Sequence, residues 1–489
     1  MSRLTGALPS RDTRAGVAVV WLRRDLRLTD NPALAAAADH EACIPVFLYN
    51  PADEGDWAPG GASRWWLHHS LEALRRSLER IGSRLVIRRT GDTLASLREL
   101  AEELGAGAIY WNRLYDPLLI ERDKRIKLAL RDDGLRAESF GAALLREPWE
   151  VRRKDGGHFR AFTPFWRALT GMGEPPAPLP APESLSAPAS VPRSDAPEEL
   201  SLLPRIRWDA AFHDHWQPGE AGAQRALERF LAERLADYKT LRDRPGEQGT
   251  SGLSPHLHWG EISPREIWAR TRHARGAPEA GTEAFLSELG WREFAHHLLY
   301  YFPEMPSDPL DRRFRAFPWR DDPAPALRAW RAGRTGVPIV DAGMRELWTT
   351  GWMHNRVRMI VGSLLTKNLR IPWQTGEAWF WDTLVDADLA SNSMGWQWIQ
   401  GSGADAAPYF RIFNPVRQGE RFDPEGDYVR RWVPELGRLP AKHIHSPWSA
   451  PDEVLARAGV ELGSDYPEPI VDLADSRRTA LDAYQTIKG

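Results

Sequence analysis

The chain has 489 residues, more than one ordinary core organises, so two or three domains are expected. Its net charge of −3 excludes a uniformly polybasic nucleic-acid coat and leaves only a local basic patch as a route to phosphates. A single cysteine, Cys43 in an apolar run, excludes an intramolecular disulfide and any cysteine-based zinc site, and fits a reducing compartment.

Residues 1–16 are polar and basic and lack the apolar run of a secretory signal. No stretch of about eighteen consecutive apolar residues follows, so a soluble, cytoplasmic protein is expected. Val17–Trp21, Ile44–Leu48, Leu85–Ile87 and Ala108–Trp111 read as short strands buried on both faces. Helical patterns lie between them, at Ala62–Ile81 and Thr93–Leu104, and the alternation predicts a doubly wound parallel sheet over residues 16–143. No Gly-x-Gly-x-x-Gly follows the first strand. Arg23-Arg24-Asp25-Leu26-Arg27 stands there instead, which argues against a standard dinucleotide site and reads most simply as a solvated, self-paired loop.

Residues 144–205 form a connector, with a Pro, Ala and Ser-rich stretch at Gly173–Pro197 and an aromatic segment, Phe159–Trp166, suited to docking on a surface. From 206 to 489 the pattern is helical, with helices predicted at Gly222–Thr240, Pro264–Arg275, Ala284–Tyr301, Pro325–Ala332, Ile339–Thr350, Met353–Asn368 and Glu377–Leu384. This half also holds most of the 23 tryptophans. Residues 352–414 crowd many of them beside arginines, asparagines and an Asp-x-Asp, a mixture that suggests ring stacking on something flat.

Three constellations carry the chemistry. Tyr238 precedes Thr250-Ser251-Gly252-Leu253-Ser254-Pro255, a turn rich in N–H and O–H donors that is either a plain turn or a cradle for phosphate oxygens. Glu288, Trp291 and Arg292 fall on one helix face, as do Asn355, Arg358 and Met359. The first set reads as a Glu–Arg pair beside a core Trp; the second makes a poor core stripe and a better pocket wall. In Asp386-Ala387-Asp388-Leu389-Ala390-Ser391-Asn392 a calcium loop is ruled out by the missing downstream Gly and Glu, and a carboxylate paired with Arg358 is expected. The scattered histidines (His256, His258, His296, His297, His354) make no metal-ligand set, and no metal is expected.

Val20–Asn31, the Thr250–Ser254 turn, Trp291-Arg292-Glu293-Phe294, Gly351–Met359, Asp386–Asn392 with Trp396-Gln397-Trp398, and Asp405–Arg411 together resemble the photolyase/cryptochrome family. Pro255–Pro264 and Glu147–Glu150 look most like its bacterial class III branch of cyclobutane pyrimidine dimer (CPD) photolyases. The resemblance implies an α/β antenna domain, a connector and an all-α domain that binds FAD, with light-driven electron transfer to a pyrimidine dimer flipped out of UV-damaged DNA. It places Tyr238, Thr250, Ser251, Gly252, Leu253, Ser254, Glu288, Arg292, Asn355, Arg358, Asp386, Asp388 and Asn392 around the FAD, Asn392 beside the flavin N5. It places Glu288, Trp291, Asn355, Met359 and Trp398 at the dimer, Trp291, Arg356, Trp398 and Arg411 on DNA, and Trp396, Trp373 and Trp319 in an electron-hopping chain. The pterin-contacting Asn-Glu pair of the best-studied bacterial branch aligns onto Leu118-Leu119; the class III likeness implies methenyltetrahydrofolate in an altered site, with a deazaflavin or no antenna at all as the alternatives. The resemblance implies a monomer that repairs DNA. A cryptochrome-type blue-light receptor and a (6-4) photolyase are the alternatives; similar (6-4) enzymes carry two histidines where this chain has Asn355 and Met359.

Overall fold

The computed structural model describes residues 14–488 except 275, 277 and 408. Most of the polar N-terminal stretch, and Pro408 of the 405–411 motif, lie outside the described residues.

Five parallel strands form one sheet in the order β3-β2-β1-β4-β5: β1 Arg14–Leu22, β2 His40–Tyr49, β3 Val86–Arg89, β4 Ala106–Asn112 and β5 Arg136–Phe140. Val19 of β1 pairs with Ile44 on one side and Ile109 on the other. The strand's period of two sends Ala18, Val20 and Leu22 to one face, under α1 (Pro32–Ala38) and α2 (Gly61–Arg80). Val19 and Trp21 go to the other, under α3 (Thr93–Leu104) and α4 (Pro117–Asp132). Helices on both faces explain why the inner strands read as unbroken apolar runs. β5, Arg-Ala-Glu-Ser-Phe, has no such run because it is an edge strand with only Ala137 buried.

The arginines after β1 are not solvated. Arg27 is 1% exposed and donates to the carbonyls of Thr29, Asp30, Ala142 and Gly260 at 2.8–3.0 Å. Arg23 pairs with Asp123 at 3.0 Å, and Arg24 with Asp116 at 2.6 Å and with Glu54. Apart from the nearby Thr29 and Asp30 carbonyls, their partners lie far along the chain, so spacing gave no sign of those. The loop is a joint between the two halves: Leu26 N donates to Trp259 O at 3.1 Å. Gly260 (φ +64°) is required there, since a Cβ would sit 2.1 Å from Arg24 O.

The connector contains α5 (Phe162–Thr170) and then runs extended over the α/β half. Leu185 N bonds Ile81 O, and Asp195 N bonds Ile87 O at 2.7 Å, so the connector covers the β3 edge.

The second half is helical: α6 Phe212–His215, α7 Glu220–Glu233, α8 Tyr238–Leu241, α9 Ser254–His258, α10 Pro264–Arg272, α11 Glu279–Tyr301, α12 Ala324–Arg331, α13 Pro338–Thr350, α14 Asn355–Ser363, α15 Trp373–Thr383 and α16 Leu389–Gln400, with further short helices and a terminal Leu473–Lys488. The helix expected over 353–368 starts at Asn355 and closes in a π turn at Leu364–Asn368. α16 was not predicted. Its Ser, Asn, Gly and two Trp are poor helix formers, and tertiary burial holds it instead. Gln397, fully buried, donates to Met305 O at 2.6 Å and Asp308 O at 2.8 Å and accepts from Leu310 N at 2.9 Å.

Candidate functional site

Gly351 (φ +69°) ends α13, and its carbonyl accepts from Val385 N at 2.8 Å. That bond lays the segment before α16 against the start of α14. Arg358, on the first turns of α14, therefore meets Asp386: Nη2 donates to both carboxylate oxygens, at 2.8 and 3.0 Å. Nε donates to Met353 O at 2.7 Å, and Ser254 Oγ, from the end of the hydroxyl-rich turn, donates to Asp386 Oδ2 at 2.6 Å. The pair foreseen from the sequence thus exists and ties three distant segments together. Asp386 is 8% exposed, so these donors stand in for the water it gives up on burial.

Glu346 on α13 supports this corner. It accepts from His354 N at 3.2 Å and from Tyr428 Oη at 2.6 Å, and burial still pushes its carboxyl up to about 7. A carboxyl raised in the folded state contributes stability that is complete below its unfolded value and is lost as pH rises through about 7. The stability difference between the wild-type chain and Glu346→Gln should therefore move against the wild type by up to about 3 kcal/mol from pH 4.5 to 8. Denaturant melts across that range would contradict this assignment by giving a constant difference. His354 is pushed down to about 4 by burial, so it is neutral near pH 7, and its Nδ1 caps α14 by accepting from Arg356 N at 3.2 Å.

Asp388 caps α16, accepting from Ser391 N at 2.8 Å. Its other oxygen faces His296 Nε2 at 3.5 Å and His258 Nδ1 at 3.9 Å. Burial would raise its carboxyl, but His296, His258 and Arg292 hold it well below the usual carboxylate range. One turn on, Asn392 Nδ2 donates to Glu377 O at 3.2 Å, and Ser393 Oγ donates to Glu377 Oε1 at 2.6 Å. Sequence reasoning missed Glu377. It is fully buried, its Oε2 has no partner among the described residues, and burial pushes its carboxyl well above the usual range, which favours the protonated form. The available signal was an acid inside a Trp-rich helix with no base three or four residues away.

The Thr250–Ser254 turn is open. Thr250, Ser251 and Gly252 are half-buried, Ser254 is exposed, and Leu253 alone points into the core. Gly252 takes φ +68°, and among the described residues the N–H groups of Thr250, Ser251 and Gly252 meet no acceptor. Tyr238 is buried edge-on against Phe230 and Phe285, and burial raises its hydroxyl. The Glu288–Arg292 pair expected on α11 does not form. Arg242 takes Glu288, while Arg292 Nη1 donates to Ala143 O at 2.6 Å. Helical spacing made that pair possible, but the Ala143 carbonyl at the end of the α/β half and a second arginine compete better for the two groups.

Trp291 stacks on Phe162 of α5 at 3.8 Å and 8°, which is how the aromatic connector segment docks. Trp398 is held by a bond from Nε1 to Asp405 O at 3.2 Å, with the Arg411 guanidinium 5.9 Å from its ring. Both indoles are half-buried. Asn355 is exposed at the start of α14; Met359, one turn on, is half-buried with Arg356 Nη1 3.8 Å from its sulfur. Arg356 is itself paired to Asp243 at 2.8 Å. Trp396 and Trp373 are buried at 2% and 1% exposure, and Trp319 is half-buried beside Phe317 at 4.7 Å. Gly376 makes room for Trp396, since a Cβ there would lie 2.1 Å from its ring; Trp396 also meets Phe380 at 5.0 Å and Trp330 at 6.5 Å.

Residues 18–183 match the family model described as DNA photolyase, and residues 285–486 match the FAD binding domain of DNA photolyase. The chain is 51% identical over 473 residues to a deoxyribodipyrimidine photo-lyase of Agrobacterium fabrum, covering 96% of this chain and 98% of that one. It is 44% identical to Cryptochrome-1 of Arabidopsis thaliana, covering 96% of this chain and 70% of that one. The crystal structure of a bacterial class III photolyase from Agrobacterium tumefaciens superposes with a TM-score of 0.94 at 50% identity, over 100% of both chains. No helix among the described residues is long and apolar enough to cross a membrane.

Proposed function

The chain belongs to the photolyase/cryptochrome family, and from that membership and the site we infer that it is a light-dependent DNA repair enzyme that splits cyclobutane pyrimidine dimers, a deoxyribodipyrimidine photolyase. The relatedness to the Agrobacterium photolyase carries this reading, and the plant cryptochromes are more distant. Its direct test is an oligonucleotide carrying one thymine dimer, incubated with FAD-loaded protein under blue light and in the dark. Restoration of intact thymines only in the light is the expected result; no restoration overturns it.

The donor set suits FAD. The Thr250–Gly252 N–H groups lack acceptors and fit phosphate oxygens, and the Arg358–Asp386 pair and Asn392 offer a charge pair and an amide to a flavin and its chain. When bound, FAD in its reduced, light-excited form would lend the dimer one electron and take it back once the strained ring has opened, so no net oxidation or reduction occurs. The protein's own work is placement and exclusion of water. Asn392, anchored on Glu377 O, presents a neutral amide, and burial of Glu377 behind it favours that carboxyl's uncharged form. Trp291, backed by Phe162, and Trp398, fixed to Asp405, present ring faces to a flipped dimer, with Asn355, Met359 and Glu288 toward its bases. Arg411, which bonds only Tyr409 Oη among the described residues, is available to DNA phosphates.

Trp396 and Trp373 are buried and Trp319 is half-buried, an order of exposure that suits a hopping chain for reduction of the flavin. Trp373→Phe keeps the packing but makes the ring harder to oxidise. Photoreduction with an external donor should slow by at least tenfold; an unchanged rate would remove Trp373 from the route. An antenna chromophore is also part of the reading, methenyltetrahydrofolate ahead of a deazaflavin. Leu118, exposed, and Leu119, buried, stand where the pterin-contacting pair would be. The absorption spectrum of the purified protein distinguishes them by its extra near-UV or violet band. The protein is taken to act as a monomer.

A further inference from the structure

Two consecutive residues at the end of α8, Arg242 and Asp243, tie together two helices that carry residues of the dimer site. Arg242 Nη1 donates to Glu288 of α11, and Asp243 Oδ1 accepts from Arg356 Nη2 of α14 at 2.8 Å. Charge alternates along this strap, from Glu288 through Arg242 and Asp243 to Arg356, and the four charges cancel. All four side chains keep some surface in water: 27% and 29% for Arg242 and Glu288, 20% and 38% for Arg356 and Asp243. Glu288 and Arg356 already have places in the repair reading. Asp243 has none, yet it is the one carboxylate paired with Arg356 among the described residues. Packing holds that arginine as well: Nη1 lies 3.8 Å from the Met359 sulfur, the guanidinium 4.4 Å from the Phe422 ring, and Nε is buried without an acceptor. Asp243 therefore governs the charge that Arg356 shows more than the place it occupies.

Carboxylate and phosphate compete for the same face of a guanidinium. While Asp243 holds Arg356, a DNA phosphate reaches that arginine only by displacing one oxyanion with another, and the exchange gains little. Intact duplex has nothing else to offset it, because phosphate contacts supply essentially all of non-specific affinity. A flipped dimer also brings rings to Trp291 and Trp398, and that stacking carries the exchange through. We propose that Asp243 masks Arg356 from the backbone of intact DNA and so sets the preference of this site for a damaged strand. The inference rests on the repair reading and adds to it a specificity-determining residue that acts on DNA through Arg356.

The test is fluorescence anisotropy, in the dark, of FAD-loaded protein with an undamaged duplex and with the same duplex carrying one thymine dimer. Asp243→Asn keeps the shape of the side chain and removes its charge. It should bind undamaged duplex roughly fivefold or more tightly than the wild type at low salt, and its salt slope should steepen by about 0.9, the value of one added phosphate contact. The dimer-bearing duplex already engages Arg356 and should gain less, so the preference for damage narrows. Asp243→Glu should restore wild-type values, and in an Arg356→Gln background Asp243→Asn should have no effect. Undamaged-duplex affinity that is unchanged or weaker in Asp243→Asn, an unchanged salt slope, or the same gain without Arg356 would overturn the proposal and leave an ordinary structural ion pair. Wild-type protein that shows no preference for the damaged duplex would sink the repair reading and this proposal together, whereas a wild-type preference with indifferent variants sinks the proposal alone.

Discussion

Arg358→Ala is expected to purify with little flavin. The guanidinium Nη2 reaches both oxygens of Asp386, at 2.8 and 3.0 Å, and its loss leaves Ser254 Oγ at 2.6 Å as the remaining donor. Asp386 is 8% exposed, so removal of its counter-charge strands an ionised carboxylate in a largely dry corner, at a cost of about 3 kcal/mol once the partial exposure of Arg358 is allowed for. The bond from Nε to Met353 O goes as well, loosening the entry to α14. If that cost falls on the flavin-competent arrangement alone, affinity drops by roughly a hundredfold. Arg358→Lys separates charge from geometry. An ammonium restores the charge but cannot donate from the fork that meets both Asp386 and Met353, so partial recovery is expected. The ratio of flavin to protein absorbance reads both variants, and wild-type occupancy in Arg358→Ala would dismiss the site assignment.

Period and spacing carried far in this chain, and they stopped where partners are distant. The inner strands announced themselves because helices cover both faces, whereas β5, an edge strand with one buried residue, carried no apolar run. Arg23, Arg24 and Arg27 looked like a solvated loop because most of their acceptors stand in other elements, up to Gly260 in the other half. The Arg358–Asp386 pair was legible because both residues sit in conspicuously polar runs among tryptophans. α16 was not, since its helicity comes from the Asp388 cap and from Gln397 burying its amide against Met305 and Asp308. Glu288 and Arg292 show the converse error: a favourable spacing of four, overridden by Arg242 and by the Ala143 carbonyl. Glu377 escaped because its one side-chain partner, Ser393, lies in another helix and its only local sign is the absence of a base at helical spacing.

The second large effect concerns the choice of lesion. In a (6-4) photoproduct a hydroxyl has migrated between the bases, so its reversal needs a proton donor beside the lesion in addition to an electron. The two positions where similar (6-4) enzymes carry histidines hold Asn355 and Met359. An amide does not ionise usefully near neutral pH, and a thioether has no proton to give. His354 is the adjacent imidazole and does not replace them. It is 3% exposed, burial keeps it neutral down to about pH 4, and its Nδ1 is occupied as acceptor for Arg356 N. As the cap preceding α14 it also lies off the face that Asn355 and Met359 share. Nothing on that face supplies a proton, whereas an amide and a polarizable sulfur suit the base edges and ring of a cyclobutane dimer, which opens without one. Repair of a (6-4) oligonucleotide under blue light should therefore be at least a hundredfold slower than repair of a CPD oligonucleotide of the same sequence. The discriminating measurement is the two initial rates at equal photon dose across pH 6 to 8. Comparable rates, or a (6-4) rate that falls as pH rises through a histidine-like value, would mean that a titrating acid reaches the lesion and that Asn355 and Met359 do not set the specificity.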